Sequence, residues 1–393
     1  MRGFALCAVA CLLACGVSGP DPTSGATGGR GAAPPADTPD GGSSDGGTGG
    51  PSQDGGTAAP VTGYTIQELP PVEGVSHLFP GTINNRGDVV GTYTTASPPG
   101  AGPRRSFFHD GSTGTARRIL DDGTIIQTAT HINDARQVSA ETFDSTSRAS
   151  PGHTRGVRWQ DGVETDIGAL PPGPDGPQAS AQSINAQGWI AGWSLGAANF
   201  QRAVLWDGST LRDLGSGAPD KAFSIAFGIN ASGQVVGQTN FPNVANPDAA
   251  LFENGTIRDL GSLAGGGGSI ALAINDSGRI VGTSPAPDDS FQHAFVFDLP
   301  GGPMRDVSPG RPCTLGSVNS GGVAVGNCIA DSSGAPTKLR AVILRGAVVA
   351  DLDALLGNSH WVLEDAASIN DKGQIAGFGL HDGKFRAFVL TPR

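Results

Sequence analysis

Apolar and polar residues alternate in short runs along most of the chain, and the runs are too brief for helices. The stretch from Asp259 to Asp298 shows the unit most clearly. Ala273-Ile274 and Ile280-Val281 flank Asn275-Asp276-Ser277-Gly278, so two strand-forming runs are joined by a turn sequence. Asn at the head of a type I turn accepts hydrogen bonds from the backbone that follows. Gly three places later enters the left-handed region without steric cost. The expected product is a tight hairpin with a bulge. A second hairpin follows, from Ala294-Phe295-Val296-Phe297 through a Pro-Gly-Gly turn to Met304-Arg305-Asp306-Val307. Each unit therefore offers four short strands.

The unit repeats. Its Ile-Asn phrase begins at Ile83, Ile132, Ile184, Ile229, Ile274 and Ile369, with Val318 replacing Ile in the sixth of seven copies, at steps of 44 to 52 residues. Four strands per copy at such a period predict an all-β, seven-bladed β-propeller with four-stranded blades, because small sheets must bury both faces against their neighbours. A phase break predicts how the ring closes. The domain enters with Tyr64-Thr65-Ile66-Gln67-Glu68-Leu69-Pro70, which aligns with the fourth-strand phrase Leu211-Arg212-Asp213-Leu214-Gly215. It leaves with Arg386-Ala387-Phe388-Val389-Leu390, a third strand with no fourth after it. The N-terminal strand of the domain is expected to complete the last blade and remove two open sheet edges.

His293-Ala294-Phe295 and the preceding DLGSLAGGGGSIALAINDSGRIVGTS resemble the HAF family of bacterial extracellular repeats. The resemblance covers roughly Val61 to Arg393 and is strongest from Ala179 to Val307. It implies an exported repeat domain and carries over no catalytic residue.

The N-terminal region changes composition twice. Residues 1–14 read as a signal peptide, with Arg2 as the charged region and Phe4 to Leu13 as the apolar one. Leu12-Leu13-Ala14-Cys15 resembles a lipobox, which implies lipidation of Cys15; the plainer alternative is a secretory signal cut near Gly16 or Gly19. Residues 15–60 form a Gly/Ser/Pro/Thr/Asp tether that lacks the apolar side chains needed to offset ordering entropy. Its mean reach is about 40 Å. Residues 61–393 form the propeller. The expected location is the outer membrane or cell surface, held by lipid alone.

Net charge is −11, from 25 Lys and Arg against 36 Asp and Glu, without basic clusters. This argues against nucleic acid or an anionic membrane surface as a partner. After the signal peptide no apolar run is long enough to span a membrane. Once the leader and Cys15 are set aside, Cys313 and Cys328 remain, and an oxidising compartment favours a disulfide between them. Register makes the bridge conditional. If Val318 faces Val323, the cysteines face each other; the bulged turn expected elsewhere moves them to opposite faces.

A charge pattern sits on the outer strands. Arg155 and Asp166, Arg202 and Asp213, and Arg340 and Asp351 are each 11 residues apart, and Glu68 takes the acid's place for Arg386. One reading is a cationic ring for an anionic ligand. The preferred reading is structural Arg/acid pairing that satisfies strand ends. The seven His show no metal-ligand spacing, no cysteine pair offers zinc geometry, and no cofactor is implied. The lone Gly-x-Ser-x-Gly match, at Gly42 to Gly46, lies in the tether, where no nucleophile elbow can form. Asp121-Asp122 and Asp288-Asp289 read as solvated loop acids.

Loops between second and third strands vary most: Thr94 to Pro103, Phe143 to Gly152, Leu195 to Phe200, Asn240 to Pro247 and Ala330 to Thr337. Aromatic residues lie in or beside them, namely Tyr93, Trp193, Phe200, Phe241, Phe291 and Trp361. Rings beside adaptable loops suit protein or sugar contacts; the plainer alternative is that several cap the blade cores, Trp193 and Tyr93 as readily as not. The expectation is a monomeric, non-catalytic propeller that binds a protein or glycan through this face. The alternatives are a polysaccharide-degrading enzyme, marked by two carboxylates about 5–10 Å apart at the central mouth, and a purely structural envelope protein.

Overall fold

Every copy of the repeat folds as one antiparallel sheet of four strands, and seven such sheets are present among the described residues. The computed structural model describes residues 61–393, apart from 73, 76, 95–103, 121–125, 144–152, 219–222, 243, 266, 288–290, 331–337 and 358. The signal peptide, Cys15, the tether, both loop Asp pairs and most of three variable loops therefore lie outside the described residues. Blade one consists of His77–Ile83, Val89–Thr94, Arg105–Asp110 and Thr115–Ile119, in that spatial order. Blades two to six repeat the order. First strands of successive blades lie against one another, so they line the axis. Fourth strands lie outermost, and their burial falls accordingly: Val89–Thr94 is buried throughout, whereas Thr115–Ile119 is mostly exposed.

Blade seven closes as the phase break predicts. Trp361–Ile369, Ile375–His381 and Lys384–Pro392 are joined by Tyr64–Glu68 as the fourth strand. Tyr64 pairs with Pro392 and Glu68 with Phe388. Beyond the strand, the Leu69 amide donates to the Ala387 carbonyl at 2.9 Å.

The cores lie between blades rather than within them. Val281, Ala294 and Val296 of blade five pack on Leu315, Ala324, Val342 and Leu344 of blade six. Ala376, Ala387 and Val389 of blade seven pack on Leu78, Val89 and Phe107 of blade one. Fully burying one such side chain contributes about 1.5–3 kcal/mol, which no blade could gain alone.

The disulfide condition is resolved by a second bulge. Val318 pairs with Ala324, as a bulged turn requires, but the register shifts between Leu315 and Ser317. That shift restores the pairing of Cys313 with Cys328, and the two are bridged. Equivalent shifts occur in the first strands of the other six blades, for example between Ala226 and Gly228.

These bulges explain the Gly that ends the repeated phrase. They drive a first-strand carbonyl into the space a second-strand Cβ would take. A Cβ would stand 1.9–2.2 Å from a carbonyl oxygen at Gly91, Gly192, Gly237, Gly282, Gly326 and Gly377. Only blade two tolerates a side chain there, Ala140.

Candidate functional site

Antiparallel blades send the turns between strands one and two, and three and four, to one end of the ring. The remaining connections go to the other end. The short-turn end is built on the repeated Asn. Its Oδ1 accepts from the backbone of its own turn, as Asn230 does from Ser232 and Gln234 at 3.1 and 3.0 Å. Its Nδ2 reaches the next blade and donates to the carbonyl of the equivalent Asn. The bonds run Asn84 to Asn133, Asn185, Asn230, Asn275, Asn319, Asn370 and back to Asn84, at 2.8–3.2 Å. Seven amides thus form a closed ring around the axis. An aspartate could not complete it, because it has no donor.

A second tier caps this ring. The Asn85 amide donates to Asp134 at 2.7 Å, Ala231 to Asp276 at 2.8 Å, Ser320 to Asp371 at 2.8 Å, and Asp371 to the Asn85 Oδ1 at 2.8 Å. Asn85 Nδ2 also lies 3.1 Å from Asp134 and 3.0 Å from Asp371. Those two carboxylates are therefore within roughly 6 Å of each other, inside the range of a glycosidase pair. Their roles differ from one. Burial alone would raise the Asp371 carboxyl, but donation from Ser320 and Asn85 outweighs it and holds the group below its ordinary value. A general acid requires the opposite shift. These acids cap backbone.

At the other end, the structure corrects the aromatic candidates. Tyr93, Trp193, Phe241 and Trp361 are buried, between 1% and 8% exposed. Tyr93 and Phe241 belong to inter-blade cores. Trp361 stacks on His381 at 4.6 Å and meets Phe388 edge-on. Tyr93 and Trp193 lie inside second strands, Trp361 opens a first strand and Phe241 stands two residues past Val235–Thr239, so all four belong to the packed sheets rather than to the loops. Phe200 and Phe291 remain, 53% and 50% exposed.

The charged positions are paired. Arg155 lies 3.3 Å from Asp166, Arg202 3.2 Å from Asp213 and Arg386 2.8 Å from Glu68. His293 stands 2.8 Å from Asp306 in the same arrangement. Arg340 differs from expectation. The chain after Asp351 winds into a short 3-10 turn, Leu352–Leu355, which brings Asp353 within 3.9 Å of Arg340, while Asp351 pairs with Arg311. These acids also hold turns: the Asp166, Asp213 and Asp259 Oδ1 atoms each accept from the amide of the Gly two residues on, at 2.8 Å. That bond, with a left-handed Gly, is the physical content of the Asp-Leu-Gly phrase.

Several features were not anticipated. Glu141 accepts from Ser180 and Gln182 of blade three, and Asp365 from Asn327 of blade six at 2.8 Å. Burial raises both carboxyls above their ordinary range against those hydrogen bonds. Phe79, Phe378 and Phe385 form an aromatic cluster where blades seven and one meet, with ring centroids 5.0–5.7 Å apart. A signal existed for two of them. Glu141 and Phe378 follow the second-strand Gly or its Ala equivalent, a position that faces the next blade and varies widely between copies. Among the described residues, no group of three or more His, Cys, Asp or Glu is placed to hold a metal.

No family model matches the chain, and no curated protein does. Solved structures show its fold. The β-propeller domain of the Trilobed protease from Pyrococcus furiosus, described as having an open velcro topology, aligns with a TM-score of 0.53 and 9% identity. That alignment covers 80% of this chain and 93% of the other. Pyrococcus horikoshii acylaminoacyl peptidase aligns with a TM-score of 0.51 and 10% identity, over 81% of this chain. The match spans 51% of the peptidase, about half its length. At these identities the likeness concerns the fold alone. The chain is a seven-bladed β-propeller.

Proposed function

We propose that the protein is a surface-tethered binding propeller that recognises a protein or glycan partner through its long-loop face, without catalysis. The asymmetry between the two ends carries this reading. One end is closed by the Asn ring and its caps, while the other bears loops of unequal length with the half-exposed rings of Phe200 and Phe291. A rigid scaffold presenting variable loops and exposed rings is the usual arrangement of a recognition surface. The hydrolase alternative is less well supported, since the carboxylate pair of suitable separation is tied to backbone capping. Export rests on the leader, the lipobox-like Cys15 and the resemblance to extracellular repeats.

The test compares wild type with a Phe200→Ser/Phe291→Ser double variant for capture of whole bacterial cells and their purified surface polysaccharide. Loss of two ring contacts should weaken capture roughly tenfold or more, with melting unchanged. Equal capture by both proteins would show that another surface binds. Export is tested separately: Cys15→Ser should leave the membrane fraction, and wild type should incorporate labelled fatty acid.

A further inference from the structure

The short-turn end departs furthest from its own repeat in blade five. Third and fourth strands are joined by two residues in blade four (254–255) and by six in blade five (299–304). The longer turn carries Leu299 and Pro300 across to Arg258 of blade four. The Arg258 guanidinium donates to the Pro300 carbonyl and lies 5.3 Å above the Phe297 ring. Between the two blades this leaves a cleft of about 560 Å³, within the range of small-molecule sites.

The walls of the cleft are held from the Asn ring outward. Asn230 Nδ2 donates to Gln234 Oε1 at 2.7 Å, and Gln234 Nε2 donates to Glu253 Oε1 at 2.7 Å. Asp276, on the axis side, is fixed by the Ala231 amide at 2.8 Å. Two oriented carboxylates, a guanidinium and an amide therefore converge on one space, with Leu299 and Pro300 as an apolar wall.

This chemistry selects among ligand classes. Two carboxylates against one guanidinium disfavour an anion, in a protein of net charge −11. The polar lining disfavours an apolar ligand, whose burial would leave these groups without partners. A neutral sugar offers adjacent hydroxyls that donate to carboxylates and accept from Arg, and a C–H face that suits the Leu299–Pro300 wall. We propose that the cleft is a second binding site, for one or two neutral sugar units, on the end opposite the long loops. It stands independently of what the long-loop face binds.

The experiment is saturation-transfer NMR on the full-length protein with five probes: the methyl glycosides of glucose, galactose and mannose, N-acetylglucosamine and cellobiose. At least one probe should show transfer. Glu253→Gln and Arg258→Leu should each reduce it several-fold, and Phe200→Ser should leave it intact. Arg258 is exposed and Glu253 only half-buried, so both variants should fold, which unchanged melting would verify. Absence of transfer from all five probes overturns the proposal. So does transfer that survives both cleft substitutions, or that is lost with Phe200→Ser alone.

Discussion

The side-chain amide of Asn370 donates to the backbone carbonyl of Asn84 at 2.8 Å, joining the last blade to the first across 286 positions of sequence. Asn370 uses its full capacity. Its second amide hydrogen goes to Gln374 Oε1 at 2.9 Å, and its oxygen accepts from the Lys372 and Gln374 amides. A residue known locally as a turn former is also the clasp between neighbouring blades. Removing one clasp should therefore cost more than a turn residue does. Asn275→Ala should lower unfolding free energy by about 2–3 kcal/mol, since buried partners lose hydrogen bonds. Asn275→Asp keeps the turn acceptor but cannot donate to Asn319, and should recover only part of that loss. Urea unfolding of both variants checks this; full stability in the aspartate variant would mean the inter-blade bond contributes nothing.

Steric demand at the second-strand Gly is as testable. A Cβ at Gly237 would lie 1.9 Å from the Ile225 carbonyl, and backbone cannot yield as a flexible side chain can. Gly237→Ala should destabilise by more than about 2 kcal/mol. The same substitution at Gly255, where no atom lies within 4 Å, meets only left-handed strain and should cost about 1 kcal/mol. Equal melting temperatures for the two variants would contradict the bulge account.

Much of the fold was legible because each copy states its own turns. Asn-x-x-Gly and Asp-Leu-Gly encode local hydrogen bonds, and the position of Tyr64 to Glu68 relative to the repeat encodes closure. The site was less legible, because exposure is set between blades. Trp361 and Phe200 both adjoin variable loops in sequence, yet one stacks on His381 while the other faces solvent. Which of them is exposed depends on the face each presents to a neighbouring sheet, and that depends on bulges no single copy announces. Likewise Asp351 and Asp353 stand 11 and 13 residues from Arg340, and a 3-10 turn gives the pair to the farther acid.

His131 should make the protein sensitive to mild acid. The residue is half-buried, and burial of its imidazole lowers the pKa from 6.5 to about 4. The unfolded chain then binds a proton that the folded state refuses. The resulting stability is present above pH 6.5 and is lost as pH falls toward about 4, by up to about 3 kcal/mol. Glu141 and Asp365 act in the opposite sense, since raised carboxyls favour folding at lower pH. His131→Gln should flatten the stability profile between those pH values. An unchanged slope in denaturant titrations would remove His131 as its source.

Burial of Trp361 predicts a structural phenotype. Trp361→Ala removes a ring that is 8% exposed and stacked on His381, and should cost about 3 kcal/mol. Loss of partner capture in that variant would then accompany lower melting, unlike loss in a Phe200 variant. Unchanged melting of Trp361→Ala would return the residue to the surface candidates.

Closure by the N-terminal strand is the last relationship to test, and its parts can be separated. Deleting residues 61–70 removes the pairing of Tyr64–Glu68 with the last strand, the fully buried Tyr64 ring and its 2.9 Å bond from Arg345. It also strands Arg386 and His381, which share Glu68 at 2.8 and 3.1 Å. The exposed edge of Lys384–Pro392 should then exchange its amide hydrogens faster, most visibly at Val389 and Thr391, whose amides face the deleted strand, and melting should fall. Glu68→Gln isolates the charge. Its carboxylate is 38% exposed, so solvent screens the pair and the loss should stay below about 1 kcal/mol. Strand pairing and Tyr64 burial must therefore account for most of the deletion's effect. If Glu68→Gln alone reproduces the fall in melting, the ring is held shut by charge rather than by the strand.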